Sequence, residues 1–497
     1  MRTARLLAIA AAATALAGVA LTPLASPASA SGPLHLLRDA EAGKDSVKAP
    51  APVQPDTTIE PSIAVDPADP MHAVAGYQMG RVDAGGDATN GFATTFNGGK
   101  TWIYGKVPGL TKVDGGPWDR ASDAVIAFGP KHVVYFSSLV FMEGGAGNAA
   151  IVNSTSHDGG KHWDKYTVVN DDKSNPALTG NNDKNWVIVD NGTGTGHHNG
   201  RVYVVWDEVY ITLAAYSDDE GKTWSQTFPV YPGLSIGAIP LVMPNGDLSV
   251  VFDADVVPVP VVHPSGPEDL AEPVPGISKI VIATAHGAGL VPTGGPLVFG
   301  PAVSVAVYDN NAVRVQRAGT LPSAAVDPKT GRIFVTWEDA RFRSDKANDA
   351  VISWSDDGVT WSSPVRINPG SKSNNLDHYN PAVALTSDGT VHVMYRQRQE
   401  AASTDEFSNY VDTFVQSSTN HGTSWSAPLR VNRVRSDVRF AAFSRGGAFH
   451  GDYNQIAASG KYVYVVRCES LPPRKGARAE FPPAIHHQTT WVAVLSR

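Results

Sequence analysis

The sequence predicts an all-β fold, a single β-propeller of seven blades with six as the alternative, and two observations carry that prediction. A Trp-terminated turn motif recurs five times, and seven hairpins of small and apolar residues are spread along the same stretch. Periodic repeats of this length are the signature of radial or stacked architectures. The 47 Gly, 36 Pro and 11 Trp in 497 residues also suit many short strands joined by tight turns.

In chain order, Arg2 and Arg5 precede an uncharged apolar stretch, Leu6 to Ala20, and the small residues Ala28-Ser29-Ala30. This reads as an export signal over residues 1–30, cleaved after Ala30, which places the mature chain outside the cell. The stretch is shorter than the ~20 residues of a spanning helix. Residues 31–58 are polar with several Pro and read as a lead-in. Leu34–Leu37 or Thr57–Glu60 are candidates for a strand that closes the ring. Residues 59–497 form the propeller. Cys468 is the only cysteine, so an intramolecular disulfide is excluded and stability must come from a large core. A net charge of -8 and a pI near 6.0 argue against nucleic acid and anionic membranes as partners. A monomer is expected.

The turn motif reads Thr95-Phe-Asn97-Gly-Gly99-Lys-Thr101-Trp102, then Ser156-His-Asp158-Gly-Gly160-Lys-His162-Trp163, then Ser217-Asp-Asp219-Glu-Gly221-Lys-Thr223-Trp224. Trp354-Ser-Asp356-Asp-Gly358-Val-Thr360-Trp361 and Ser418-Thr-Asn420-His-Gly422-Thr-Ser424-Trp425 complete the set. The intervals between tryptophans are 61, 61, 137 and 64 residues, so one copy has decayed, at His286-Gly287-Ala288-Gly289. The Asp or Asn accepts backbone N–H bonds across a tight turn, and the Gly two residues on takes a positive φ. These residues are turn formers and carry no catalysis. The hairpins run from Pro61–Asp66 with Ala73–Tyr77 to Asp452–Ile456 with Tyr462–Val466, and the last group adds a third strand, Thr489 to Leu495. Inner strands made almost wholly of small and apolar residues are expected to be buried on both faces.

Strand direction alternates, so the motif turns lie on the face of the inner-hairpin turns. Residues entering the first strands and leaving the second point to the opposite mouth. These are polar: Glu60, Asp119-Arg120, Asp183-Lys184, Asp377-His378-Tyr379 and His450 to Tyr453 on entry, and Gln78, Asp207-Glu208, Asp253, Glu338 to Arg341, Arg396 and Arg467 on exit. Converging polar groups at one end of such a ring make the default site. Structural ion pairs between neighbouring groups explain many of the same residues. No metal is assigned. Ca²⁺ at Asp207, Glu208, Asp253 and Asp255 is the alternative, since hard oxygen ligands suit it. The adjacent pairs His197-His198 and His486-His487 resemble metal pairs, though neighbouring histidines point apart as often as together.

The repeated turn is the Asp-box (BNR) motif, and the chain resembles the sialidase superfamily. The resemblance spans the chain after Thr58 and implies a glycoside hydrolase acting on an anionic sugar of a glycan or glycoconjugate. It implies Tyr453, in Asp452-Tyr453-Asn454-Gln455, as nucleophile, Glu338 or Glu208 as its base, and Asp119 or Asp452 as acid/base. Arg120, Arg341 and Arg396 would clamp the substrate carboxylate, because guanidinium forks match it, with His378, Tyr379 and His450 as further substrate contacts. The first blade departs from the family's aromatic-Arg-Ile-Pro run, with Ile59-Glu60-Pro61 in its place. A polysaccharide lyase using Tyr453, His378 or His450 as base, and a non-catalytic glycan- or protein-binding propeller, stay open as alternatives.

Overall fold

Strands of β-branched and small residues punctuated by Gly, Pro and Asp turns can bury two faces only by layering on neighbouring sheets. The computed structural model describes residues 32–497 apart from 144–147, 173–181, 209–210, 255–276, 310–315, 317–320, 375, 400–408, 446, 474–475 and 477–484. Residues 1–30, read from the sequence as an export signal, and Asp255 lie outside the described residues. The fold is all-β, with antiparallel sheets and no more than short 3₁₀ turns among the described residues. No helix there is long and apolar enough to cross a membrane.

Among the described residues the strands form seven antiparallel groups of four strands, one of which, beginning at Leu376–Leu385, carries a fifth short strand, Ser436–Asp437, and Ala442–Ser444 pairs with Gly447–Phe449 in a separate two-stranded sheet. Their first strands are Thr58–Val65, Arg120–Phe128, Asn182–Val189, Ser235–Val242, Ser323–Val326, Leu376–Leu385 and Gln455–Ser459. The first two groups are joined into one sheet by a single residue pair, Asp87 with Ala121. In the seventh group the fourth strand comes from the other end of the chain, where His35–Gly43 pairs with Gln488–Ser496. Each first strand packs on the next, and Gln455–Ser459 packs on Thr58–Val65. Side chains tie these neighbours: Ser62 accepts from the Ile126 amide at 3.1 Å, Ser323 from Val383 at 3.2 Å and Gln455 from Ile63 at 2.7 Å. A channel of about 320 Å³ is lined by residues of all seven first strands, among them Ile63, Ile126, Val187, Leu241, Val326, Val383 and Ile456. The core lies between adjacent groups, for example Trp206 against Val187 and Val125, or Trp337 against Val251 and Leu241.

The repeat turns close as their chemistry requires. Asp158 Oδ1 accepts from the amides of Lys161 and His162 at 3.0 and 2.9 Å, while Ser156 Oγ accepts from Gly160 N at 2.8 Å. Gly160 sits at φ 86°, and a Cβ there would come within 2.8 Å of Val74. The fourth copy corrects the alignment. Its acceptor is Asp357, which takes the Val359 and Thr360 amides at 2.8 and 2.7 Å, whereas Asp356 pairs with Arg332 at 2.6 Å. Ser355 stands six residues before Trp361 instead of seven, so this turn is one residue shorter. At the decayed copy the missing acceptor is supplied from the neighbouring hairpin turn, where Asp247 accepts from Gly287 N at 2.7 Å.

Candidate functional site

A shared irregularity sits where the first strands begin. The first strands of five groups slip register near their start, between Ile59 and Ser62, Ser122 and Val125, Asp183 and Trp186, Ile236 and Ile239, and Tyr379 and Ala382. In each slip one residue has positive φ: Glu60 at 48°, Asp123 at 45°, Lys184 at 40°, Gly237 at 75° and Asn380 at 48°. A bulge re-aims a side chain, and a non-Gly residue held there costs about 1–3 kcal/mol, which the surrounding structure must impose. Tyr453 stands two residues before Gln455, as Glu60 stands two before Ser62, so it occupies the same level of the seventh group.

These residues meet. The Tyr453 hydroxyl donates to Asp123 Oδ1 at 2.8 Å and accepts from Gln78 Nε2 at 3.4 Å. Gln78 also donates to Glu60 Oε2 at 2.7 Å, and Glu60 Oε1 accepts the Asp452 amide at 2.9 Å. Lys184 Nζ lies 3.7 Å from the centroid of the Tyr453 ring and 4.7 Å from that of Trp186. Among the described residues no hydrogen-bond acceptor reaches that ammonium, although Lys184 is only 5% exposed. Burial pushes the Tyr453 phenol well above its ordinary value, and the carboxylates of Asp123 and Glu60 add to the shift. The tyrosine is therefore neutral at rest, with a carboxylate placed to take its proton and a cation on its ring face to favour the phenolate.

The remaining expected site residues lie elsewhere. Glu338 Oε2 accepts the Asn380 amide at 3.1 Å and supports that bulge. Glu208 accepts from Asn170 at 3.2 Å. Neither glutamate is the carboxylate bonded to Tyr453; Asp123 is. Asp119 is held by Lys112 and by the Glu143 amide at 3.0 Å. Burial raises its carboxyl, but these bonds outweigh that and keep it below the usual range, which suits a standing anion and not an acid. Arg120 bonds the Gly85 carbonyl at 2.8 Å and Glu143 at 2.7 Å. Arg341 grips Asp339 two residues before it, at 2.6 Å. Arg396 is fully buried, donating to the Cys468 carbonyl at 2.8 Å and facing Glu469 at 3.4 Å. The three arginines thus have separate partners, and each charge is already paired. Tyr379 and His450 are likewise fully buried, and His378 nearly so. His450 bonds Ser470 at 2.7 Å, and burial, with Arg396 and Arg398 behind it, drives its pKa well below the ordinary value. Burial lowers His378 to about 4.

Of the carboxylates considered for Ca²⁺, the three described ones have separate partners. Asp207 takes the Gly237 amide at 2.9 Å, Asp253 the Tyr308 hydroxyl at 2.8 Å, and Glu208 belongs with Asn170. The histidine pairs split as well: His197 bonds Asp190 and His198 faces Asp218, while His486 bonds the Ala441 carbonyl and His487 Asp56. Asp123 was missed in the sequence because Asp119-Arg120, three to four residues upstream, looks like the strand entrance. The signal was present in the spacing to the apolar run, which matches Glu60-Pro-Ser-Ile and Lys184-Asn-Trp-Val.

No family model matches the chain, and no curated protein matches it. Several solved structures are similar in shape. The intramolecular trans-sialidase of Ruminococcus gnavus is 12% identical with a TM-score of 0.45, over 69% of this chain and 90% of that one. A protein of unknown function from Dyadobacter fermentans is 12% identical with a TM-score of 0.42, over 92% and 99%. The α-L-arabinanase of Penicillium chrysogenum is 10% identical with a TM-score of 0.44, over 93% and 98%.

Proposed function

We propose that this chain is a secreted, monomeric glycan-active hydrolase of the sialidase-like kind, a closed seven-bladed Asp-box propeller that cleaves an anionic sugar through Tyr453. The observation that supports it most is the 2.8 Å bond from the Tyr453 hydroxyl to Asp123 among bulge residues of several groups. A neutral tyrosine approaches an anionic sugar without charge repulsion, and Asp123 takes the phenolic proton as the oxygen attacks the anomeric carbon. Lys184 favours the developing phenolate and is the cation available to a substrate carboxylate, the part first assigned to the arginines. Asp452, beside Glu60, serves as acid/base for the leaving oxygen. Arg120, Arg341 and Arg396 hold the scaffold in this reading. The export signal at residues 1–30 delivers the chain outside the cell.

The test is turnover on a panel of sialosides, uronides and their polysaccharides, following reducing-sugar release and ultraviolet absorbance together. Sugar release without the absorbance of an unsaturated product is expected from the parent. Tyr453→Phe should reduce kcat by ~10³-fold or more, while still melting in one cooperative transition. Full activity in Tyr453→Phe, or an absorbing unsaturated product, overturns the mechanism. A folded parent that cleaves nothing on the panel overturns the enzyme reading.

A further inference from the structure

On the face of the repeat turns, away from Tyr453, three side chains from the first two groups converge. Asp66 follows the strand Thr58–Val65, His72 stands in the same hairpin turn, and His132 stands in the hairpin turn of the second group. One carboxylate oxygen and one nitrogen from each ring lie within 4.8 Å of one another, which makes this the one such trio of His, Cys, Asp or Glu among the described residues.

The tautomer of His72 follows from its surroundings. Its Nε2 lies 2.8 Å from the Gly159 carbonyl, which only accepts, so Nε2 carries the hydrogen. In the neutral ring Nδ1 then presents a lone pair, and that lone pair faces Asp66 Oδ2 at 3.1 Å. Two acceptors meeting where His72 is 3% and Asp66 1% exposed are reconciled by a proton on Nδ1, as at a lone histidine–carboxylate pair, or by a bound cation. His132 Nδ1 contacts the same Asp66 oxygen, so the point of convergence is shared by three donor atoms from two groups. The third group supplies a contrast. There Asp190 holds His197 at 2.7 Å, His197 Nε2 reaches the Pro244 carbonyl at 2.9 Å, and the other Asp190 oxygen takes the His198 amide at 2.7 Å, so no second imidazole nitrogen joins the pair.

We propose that Asp66, His72 and His132 bind a divalent transition-metal ion of the zinc type, with a fourth position open to water. An N₂O set of this kind is borderline in softness, as zinc prefers. A ligand histidine characteristically donates its other ring N–H to a carbonyl, as His72 does to Gly159. Phe96 stacks on the His72 ring at 4.3 Å and Phe128 meets its edge at 4.9 Å, which fixes the ring plane. His132 is about half exposed and gives the ion its way in. The ion would clamp the first group to the second in a chain with a single cysteine.

The test uses untagged, metal-stripped full-length protein titrated with zinc chloride, read by calorimetry, by metal content after desalting and by melting temperature. One zinc per chain and a raised melting temperature are expected. His132→Gln, at the exposed ligand, should melt like the metal-free parent and bind zinc at least tenfold more weakly. His197→Gln, at the contrasting pair, should keep parental zinc affinity. Absence of saturable one-to-one binding, or zinc affinity in His132→Gln equal to that of the parent, overturns the site.

Discussion

Glu208 shows how one residue serves the frame and not the chemistry. It is fully buried at the end of the third group's second strand, bonded to Asn170. Burial, with the nearby Asp172 carboxylate behind it, pushes its pKa from 4.5 up to about 7. A raised carboxyl pKa means that the native state holds a proton the unfolded chain has released, so stability falls as pH rises from 4.5 through 7. Glu208→Gln removes that loss. Melting curves at pH 5 and pH 8 should show the variant gaining on the parent at the higher pH, and a constant difference between the two would refute the assignment. Tyr453 also has a raised pKa but lies far above this window, so its neutrality is a constant of the site at physiological pH.

Among the elements, the repeat turn and the strand-start bulge divide the work. The turn is a local device. Its acceptor, serine and glycine lie within five residues, so its stabilisation belongs to the hairpin that carries it. The short fourth copy separates two neighbouring aspartates cleanly. Asp357→Ala removes the acceptor of two amides, whereas Asp356→Ala removes only an exposed pair with Arg332. Asp357→Ala is expected to lower the melting temperature more than Asp356→Ala; the reverse order would restore the first alignment. The bulge works across groups instead, since Asp207 supports Gly237 and Glu338 supports Asn380 from the preceding group. Two carboxylates that the sequence places at the polar mouth are thus used to hold the bulge of the neighbouring group.

Over the whole molecule, the seventh group depends on a strand from the start of the chain. Arg467 is fully buried and donates to Asp39 at 2.6 Å as well as to Glu469, which Arg396 also faces. Removing Asp39 leaves two buried guanidiniums to one carboxylate. Breaking a buried pair by deleting one partner costs about 3–5 kcal/mol. Asp39→Ala should therefore lower unfolding free energy by about 3 kcal/mol in denaturant titrations. Glu41→Ala, at an exposed position of the same strand, should cost little; equal effects would show that strand pairing alone matters. His35–Gly43 was hard to see in the sequence because His-Leu-Leu-Arg-Asp-Ala-Glu-Ala-Gly lacks clean alternation, and its two breaks in register move residues from one face to the other.

The all-β class, the period, the hairpins and most of the turn chemistry could be read from the sequence, because each depends on contacts within a few residues or on burial of whole strands. Tyr453 was legible for the same reason, as a polar residue opening an apolar strand. Glu60, Gln78 and Lys184 were legible as polar residues of the same mouth, but their bonds to Tyr453 were not, and Asp123 was not singled out at all. Asp123, Gln78, Glu60 and Lys184 belong to three other strand groups, and a slip of register decides which side chain reaches the ring's polar end. Whether an arginine meets a substrate or a neighbouring carboxylate likewise depends on which group lies beside it. Local periodicity determines strands and turns; only packing between distant segments decides which charges are already paired and which are left to act.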